Sequence, residues 1–407
     1  MLSNNLNHVS IIGAGPAGLM AADVLSAAGV RVSVFEAKPS VGRKFLMAGK
    51  GGLNITHSEN LNDFIGRYDQ SEWLAPMLRA FDAEAIRQWM AGLGVASFIG
   101  TSGRVFPTEM KAAPLLRHWL AELKKRGVRV HCRHYWQGFS ANGASRFATG
   151  NGVIEVAADA TILALGGGSW PSLGSDASWV SRLAAHGVSV NPLLPSNGGF
   201  DVAWSEFIKK LAGSPVKNIV GWVEDQNGHQ MGTSQSELML TDYGVEGGLI
   251  YALSRPLRTQ LLANGVAHLY LDLLPNVTIE ELTPKLTPVG KETLSNVWRK
   301  AGLDGVKAAL VREVLPKSNW VNAAQVAKCA KSYVLPLIAM QPMETAISTA
   351  GGVTRDSVDE RLMLHALPNV YCCGEMLDWD APTGGYLLSA CFASGRWAAE
   401  GVLTAFK

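Results

Sequence analysis

The sequence predicts an α/β fold in which a dinucleotide-binding domain is interrupted by an α+β insert. Three observations predict it. A strand, a glycine turn, a helix and a second strand open the chain. Two later apolar strands, beginning near residues 160 and 369, run straight into further glycine turns. Between two proline-marked boundaries, the patterning turns β-rich and then helical.

His8 to Ile12 is a short apolar run rich in β-branched residues, so it reads as a buried strand. Gly13-Ala14-Gly15-Pro16-Ala17-Gly18 follows at once. Leu19 to Ala28 reads as a helix ended by Gly29, and Val30 to Phe35 as a strand closed by Glu36. Each part of this unit has a physical task. Gly13 permits the tight turn, Gly15 leaves room for a pyrophosphate, and Gly18 lets helix and strand pack closely. The helix N-terminus offers free N–H groups and a positive dipole end. Glu36, eighteen residues after Gly18, can accept hydrogen bonds from ribose hydroxyls. An acid there repels a 2′-phosphate, which favours FAD or NAD over NADP.

The next segment separates FAD from NAD. Ala37-Lys38-Pro39-Ser40-Val41-Gly42-Arg43-Lys44 and its continuation to Asn54 read as a glycine-rich cationic loop. A simple NAD domain would place a crossover helix here; a longer cofactor extends past the first helix. Arg43 and Lys44 are expected to face phosphates. Lys50, deeper in the loop, is a candidate for stabilising a reduced flavin or polarising a substrate carbonyl.

Ser71 to Gly92 and Ala112 to Arg126 have helix patterning, with Gly103 to Pro107 in the loop between them. Val128 to Gly138 and Gly152 to Ala157 read as strands. Ala160 to Leu165 is a strand that enters Gly166-Gly167-Gly168. Asn369 to Cys373 is another, ending in Gly374-Glu375, and Leu387 to Ala399 is a helix. The N-terminus of that helix can face a flavin pyrimidine, where negative charge develops on reduction. Asp378 and Asp380 precede it: one is expected to cap the helix, the other to serve as acid or base. Tyr386 is a candidate proton donor, with packing against the ring as the simpler role. His57 reads as structural. The domains are 1–190 and 343–407 for the cofactor and 191–342 for the inserted substrate domain. The insert is β-rich over 196–275, with a hairpin at Asn227-Gly228, and helical over 278–332.

Composition narrows the function. The 407 residues are 47% hydrophobic and 17% charged, with a net charge of +2. This excludes a disordered chain and lacks the footprint of a nucleic-acid binder. No run of eighteen apolar residues suggests a membrane span, and the N-terminus has no basic n-region. Five cysteines give no disulfide framework, so buried free thiols in a cytoplasmic protein are expected. No metal-ligand spacing and no Gly-x-Ser-x-Gly elbow appear. The 43 glycines exceed an ordinary share by about fifteen. Sixteen glycines account for that surplus and read as the backbone lining of one flavin site: Gly13, Gly15, Gly18, Gly42, Gly49, Gly51, Gly52, Gly166, Gly167, Gly168, Gly174, Gly351, Gly352, Gly374, Gly384 and Gly385.

The motifs GAGPAG…E, GRKFLMAGKGGLN, GRVFP, LGGGSWP, TAGGV and CGEMLDWDAPTGGY together resemble a bacterial FAD-dependent flavoprotein family. It lies within the glutathione-reductase-like flavoproteins and includes aminoacetone oxidases and bile-acid-reducing flavoproteins. The resemblance runs from residue 8 to residue 400. It implies a Rossmann-like FAD domain with an inserted domain. It implies FAD contacts at Gly13, Ala14, Gly15, Pro16, Ala17, Gly18, Glu36, Ala37, Lys38, Arg43, Lys44 and Asn54. Further implied contacts are Leu165, Gly166, Gly374, Glu375, Gly385, Tyr386 and Leu387, with Trp136 near adenine. Where many members read GGGRCN, this chain has Gly49-Lys50-Gly51-Gly52-Leu53-Asn54, so the family's Arg and Cys are Gly52 and Leu53 here and that cysteine's chemistry is absent. Where many read GGYN, Leu387 replaces the asparagine.

The expected function is a cytoplasmic FAD-dependent oxidoreductase. It would move a hydride between flavin N5 and a small organic substrate in a cleft between the domains. The single Gly-x-Gly-x-x-Gly leaves two electron sources open: NAD(P)H bound transiently, as in a reductase, or the substrate, as in an amine or aminoketone oxidase. The rivals are an NAD-only dehydrogenase and a flavin redox sensor or RNA-associated flavoprotein without small-molecule turnover. Neither nucleic acid nor membrane is an expected partner.

Overall fold

A computed structural model describes residues 7–49 and 51–407. They divide into two compact units: one runs to Leu194 and resumes over Ile347–Lys407, and the other is Pro195–Ala346.

The first unit is built on a parallel sheet. Its strands are β1 (His8–Ile12), β2 (Arg31–Glu36), β3 (Arg129–Cys132), β4 (Ala160–Leu163) and β5 (Val370–Cys372). Their order is β5-β4-β1-β2-β3, and every neighbouring pair is parallel. Val9, Ile11, Val34 and Ile162 are fully buried, as a sheet covered on both faces requires. Helices α1 (Pro16–Ala27) and α3 (Tyr386–Ala405) pack against each other. Their backbones approach so closely that a Cβ on Gly395 would lie 2.2 Å from the Ala17 carbonyl oxygen. Buried Asp23 holds α1 in place. Its carboxylate accepts from Trp89 Nε1 at 2.9 Å and Trp119 Nε1 at 3.0 Å, and pairs with Arg126 at 2.6 Å. Removing one partner of such a buried network costs about 3 kcal/mol or more.

Four segments differ from the sequence reading. The stretch after Glu36 is not all loop: α2 (Arg43–Ala48) forms within it, starting after Gly42. Ser71 to Gly92 is two helices, Ser71–Ala80 and Ala83–Gly92, because Asp82 caps the second by accepting from the Ala85 N–H. The Gly103–Pro107 motif is not loop. Arg104–Pro107 is the middle strand of a three-stranded antiparallel sheet, paired with Thr56–His57 and Ser97–Ile99. Val105 is fully buried there, but a strand this short lacks enough period to be read alone. Finally, Val128 to Gly138 breaks at Arg133 (φ +59°). Arg133 and His134 donate backbone N–H groups to the Lys38 and Glu36 carbonyls. The chain then enters a separate antiparallel sheet through Tyr135–Phe139. That break carries Tyr135 and Trp136 to the cavity described below.

The second unit has a seven-stranded antiparallel sheet. Strands Pro215–Glu224 and Gln230–Leu240 form its hairpin. The turn is longer than two residues, and Asp225 Oδ1 accepts from the Asn227 and His229 N–H groups. Helices Gly248–Ala252 and Ser254–Asn264 interrupt the span read as β-rich. Four α-helices follow between Ile279 and Lys331.

Candidate cofactor site

The first unit contains an open cavity at the C-terminal ends of β1, β2 and β4. This is the crevice where open parallel sheets bind ligands. Of the residues singled out by sequence, Gly13, Ala14, Gly15, Pro16, Ala17, Glu36, Ala37, Arg43 and Lys44 line it. So do Trp136, Leu165, Gly166, Gly374 and Glu375, which arrive from distant parts of the chain.

Local chemistry explains the shape. A Cβ on Gly13 (φ +105°) would lie 2.2 Å from the Ala164 carbonyl oxygen, so only glycine fits. A Cβ on Gly15 would meet nothing within 4 Å. Gly15 therefore keeps space open, whereas Gly13 holds backbone against backbone. Helix α1 begins at Gly15 with Pro16 in its first turn and no side-chain cap. Other helices of this chain are capped by Asn60, Asp82, Thr278 and Asn322. The uncapped N–H groups and dipole of α1 suit an anion.

Charges are arranged around this end. Glu36 accepts from the Ala14 N–H at 3.1 Å and the Lys38 N–H at 2.8 Å. Burial nonetheless raises its pKa above the ordinary glutamate value. Lys44 Nζ lies 2.6 Å from Ser169 Oγ and 2.7 Å from Glu375 Oε2. Glu375 Oε1 in turn accepts from the Thr349 N–H at 3.1 Å. The Lys44 charge is thus compensated by a carboxylate, which leaves Arg43 as the cation better placed to meet phosphate.

Three polar atoms along the cavity are buried with no hydrogen-bond partner: Arg43 Nε, Trp136 Nε1 and Ser175 Oγ. All three can donate. A buried polar group left unsatisfied costs about 1–3 kcal/mol, so the site calls for a ligand rich in acceptors. A pyrophosphate joining ribose and adenine meets that requirement. The donor set, the uncapped helix and the room above Gly15 all fit FAD.

Other expected site residues lie elsewhere. Gly18, Lys38, Asn54, Gly385, Tyr386 and Leu387 do not line this cavity. Gly18 packs α1 on β1, where a Cβ would lie 2.0 Å from the Gly13 carbonyl oxygen. Asn54 Oδ1 is buried without a partner. Lys50 lies outside the described residues.

The expected cap of α3 is absent. Gly385 occupies the N-cap position at φ +97° with no side-chain bond. Asp378 accepts instead from Asn191 Nδ2 at 2.7 Å. Asp380 is buried, and its backbone N–H donates to Asp69 Oδ1 at 2.7 Å. The positive-φ turn at Gly384 and Gly385 separates both acids from the helix start.

Tyr386 packs against protein side chains. Its ring stacks near His57, with centroids 5.7 Å apart, and tilts against Phe64. Its hydroxyl donates to Glu59 Oε1, and the same carboxylate pairs with Arg67 at 2.7 Å. Tyr68 donates to the Tyr386 carbonyl at 2.7 Å. Burial and the neighbouring Glu59 raise the Tyr386 pKa far above its usual value.

Sequence reasoning missed one wall. His134, Tyr135, Ser175, Asp176 and Arg182 also line the cavity. The available signal was that Ser175 and Asp176 continue directly from the third glycine turn. The five cysteines are free, and Cys373 and Cys391 reach the same cavity. Burial raises the pKa of both thiols, that of Cys391 to about 12. Among the described residues there is no metal-ligand cluster. No helix there is long and apolar enough to cross a membrane.

The family model of the HI0933-like protein Rossmann domain matches residues 7–401. The chain belongs to that family. Its curated relatives include the 3-dehydro-bile acid delta(4,6)-reductase of Clostridium scindens. That protein is 25% identical over 97% of this chain and 98% of its own. The ribosomal RNA dihydrouridine synthase of Haemophilus influenzae is 23% identical over 92% of this chain and 93% of its own. Among solved structures, the 3-ketosteroid-delta4-(5alpha)-dehydrogenase of Rhodococcus jostii RHA1 shares the fold. It has a TM-score of 0.50 and 16% identity over 98% of both chains. This HI0933-like chain is a flavoprotein of Rossmann-like fold with FAD as its cofactor, and its class is FAD-dependent oxidoreductase.

Proposed function

We propose that this HI0933-like protein reduces a carbon–carbon double bond conjugated to a carbonyl in a small organic molecule, with NAD(P)H as electron donor. The observation that carries the cofactor half is the cavity with three unpaired donors beside an uncapped helix. The reaction class is supported by the two relatives. The name delta(4,6)-reductase denotes reduction of ring double bonds in a 3-oxo steroid, and dihydrouridine is uridine reduced at the double bond beside its carbonyl.

FAD, when bound, supplies the two-electron chemistry. The protein's residues supply position and charge. The α1 N-terminus and Arg43 would hold the pyrophosphate, and Gly15 leaves it room. Glu36 would accept from ribose hydroxyls. The Lys44–Glu375 pair, tied to Ser169 and the Thr349 backbone, would hold a fixed polar wall beyond the C-terminal ends of β4 and β5.

Anaerobic stopped-flow at the flavin band near ~450 nm tests this. NADH or NADPH should bleach the band, and a 3-oxo-4-ene steroid or simple enone should restore it. Failure of both nucleotides to bleach it sinks the donor assignment; bleaching by an aminoketone instead would make the protein an oxidase. The H. influenzae relative favours a second reading, in which the double bond belongs to uridine in RNA. Restoration of the band by unmodified ribosomal RNA, but by no enone, would select it.

A further inference from the structure

The first unit has a second groove, which shares no lining residue with the cofactor cavity. Its apolar lining is Trp73, Pro76 and Met77 from helix Ser71–Ala80, Val358, and Trp397 from α3. Trp397 is held in place: its Nε1–H donates to the Glu360 carbonyl at 2.7 Å, and the Arg361 guanidinium lies 4.7 Å from its ring centroid. Asp359 Oδ1 accepts from the Arg361 and Met363 N–H groups at 2.8 and 2.9 Å, which braces the turn through Leu362 (φ +68°).

The polar chemistry is the reverse of the cofactor cavity's. Four carboxylates line the groove, Glu72, Asp356, Asp359 and Glu360, against one guanidinium, Arg355. Among the described residues, none of the four has a cationic side chain within ion-pair distance. Pro76, inside its helix, has no N–H to give the Glu72 carbonyl, which adds an acceptor. One further donor stands among them. Trp73 is only 8% exposed, and its indole N–H has no hydrogen-bond partner among the described residues. A buried indole N–H calls for an acceptor from the ligand.

The ligand must therefore bring several cations, some apolar surface and at least one acceptor. A linear polyamine has the cations but no acceptor, and a nucleic acid has the wrong charge. A basic peptide has all three: side-chain cations for the carboxylates, aliphatic stems for the tryptophan rings, and backbone carbonyls for Trp73 and Arg355. We propose that this groove docks a lysine- and arginine-rich segment of a partner protein, with Trp73 and Trp397 as its anchoring surface.

The test is fluorescence anisotropy of a labelled peptide of four Lys-Leu-Ser repeats, titrated with the purified full chain. Wild type should bind it at least about 20-fold more tightly than the same peptide with glutamate for lysine, and added salt should shrink that ratio. The double change Asp356→Lys and Glu360→Lys should raise the Kd about 10-fold. Glu344→Lys, at an exposed acid of the second unit, should leave it within twofold. Trp73→Phe keeps a ring but removes the donor, so it should raise the Kd about fivefold, and it serves as the second variant should the double change fold poorly. A Kd within twofold of wild type in both the double variant and Trp73→Phe overturns the proposal. So does equal affinity for the basic and acidic peptides, or displacement of the peptide by an equal concentration of spermine. Wild type that self-associates, and ceases to in the double variant, would assign the groove to a second copy and also overturn it. Flavin takes no part in the readout, so failure of the cofactor reading leaves this test intact.

Discussion

Two regions of the first unit lie at helix starts that lack a side-chain cap, and they differ in how their polar atoms are satisfied. Around α1, Arg43 Nε, Trp136 Nε1 and Ser175 Oγ have no partner. Around α3, the Tyr386 hydroxyl meets Glu59, Arg67 completes Glu59, and Tyr68 takes the Tyr386 carbonyl. The first arrangement suits a ligand rich in acceptors. The second is complete and acts as a strut that holds the start of α3. Three unsatisfied donors converging on one cavity beside an uncapped helix start, rather than glycines alone, single out the candidate site.

The largest effects should come from the two glycines that look alike in the motif. Gly13→Val places side chain into the Ala164 carbonyl and should cost several kcal/mol or prevent folding, read by thermal melts of the apoprotein. At Gly15 an added Cβ meets no protein atom within 4 Å, so in Gly15→Val the apoprotein melt should stay put while FAD affinity falls at least about 100-fold, near 2.7 kcal/mol. A Gly15→Val protein that stays fully yellow would show that the cofactor does not pass over Gly15.

Tyr386→Phe tests the strut at the start of α3. Loss of the bond to Glu59 should lower stability by about 1–3 kcal/mol, with flavin content and kcat nearly unchanged. A fall in kcat of about 100-fold or more would instead restore Tyr386 as a proton donor.

The smallest effect is on pH. Burial raises the Glu36 pKa above its unfolded value. By linkage, the group favours the folded state below its unfolded pKa, and that contribution is lost as pH rises through the raised folded pKa. Ribose hydroxyls need the ionised acid, so the sign for the cofactor is opposite. FAD retention should weaken on acidification, beginning above the ordinary glutamate range. Glu36→Gln should bind less tightly at neutral pH and flatten that dependence, as followed by flavin fluorescence during a pH titration.

The glycine surplus shows where sequence reasoning stopped. Of the sixteen glycines ascribed to a flavin lining, six line the cavity: Gly13, Gly15, Gly42, Gly166, Gly174 and Gly374. Others do not line it and serve close packing. A Cβ on Gly385 would lie 2.5 Å from Thr56 backbone, and one on Gly351 would lie 2.1 Å from the Pro192 carbonyl oxygen. Composition counts both kinds alike, because each needs the same missing atom.

By itself, the sequence determined the β1–α1–β2 unit, the acid at its end, the strands feeding later glycine turns, and the presence of an insert. These are local: period, turn chemistry and helix starts act over a few residues. Only the tertiary structure decided which residues share the cavity. The αL kink at Arg133 carries Trp136 to the cavity, the third glycine turn brings Ser175 and Arg182 to it, and Glu375 ties Lys44. Those meetings join residues tens to hundreds of positions apart. They are settled by the parallel strand order and by burial of donors, and neither is written in any one segment of the chain.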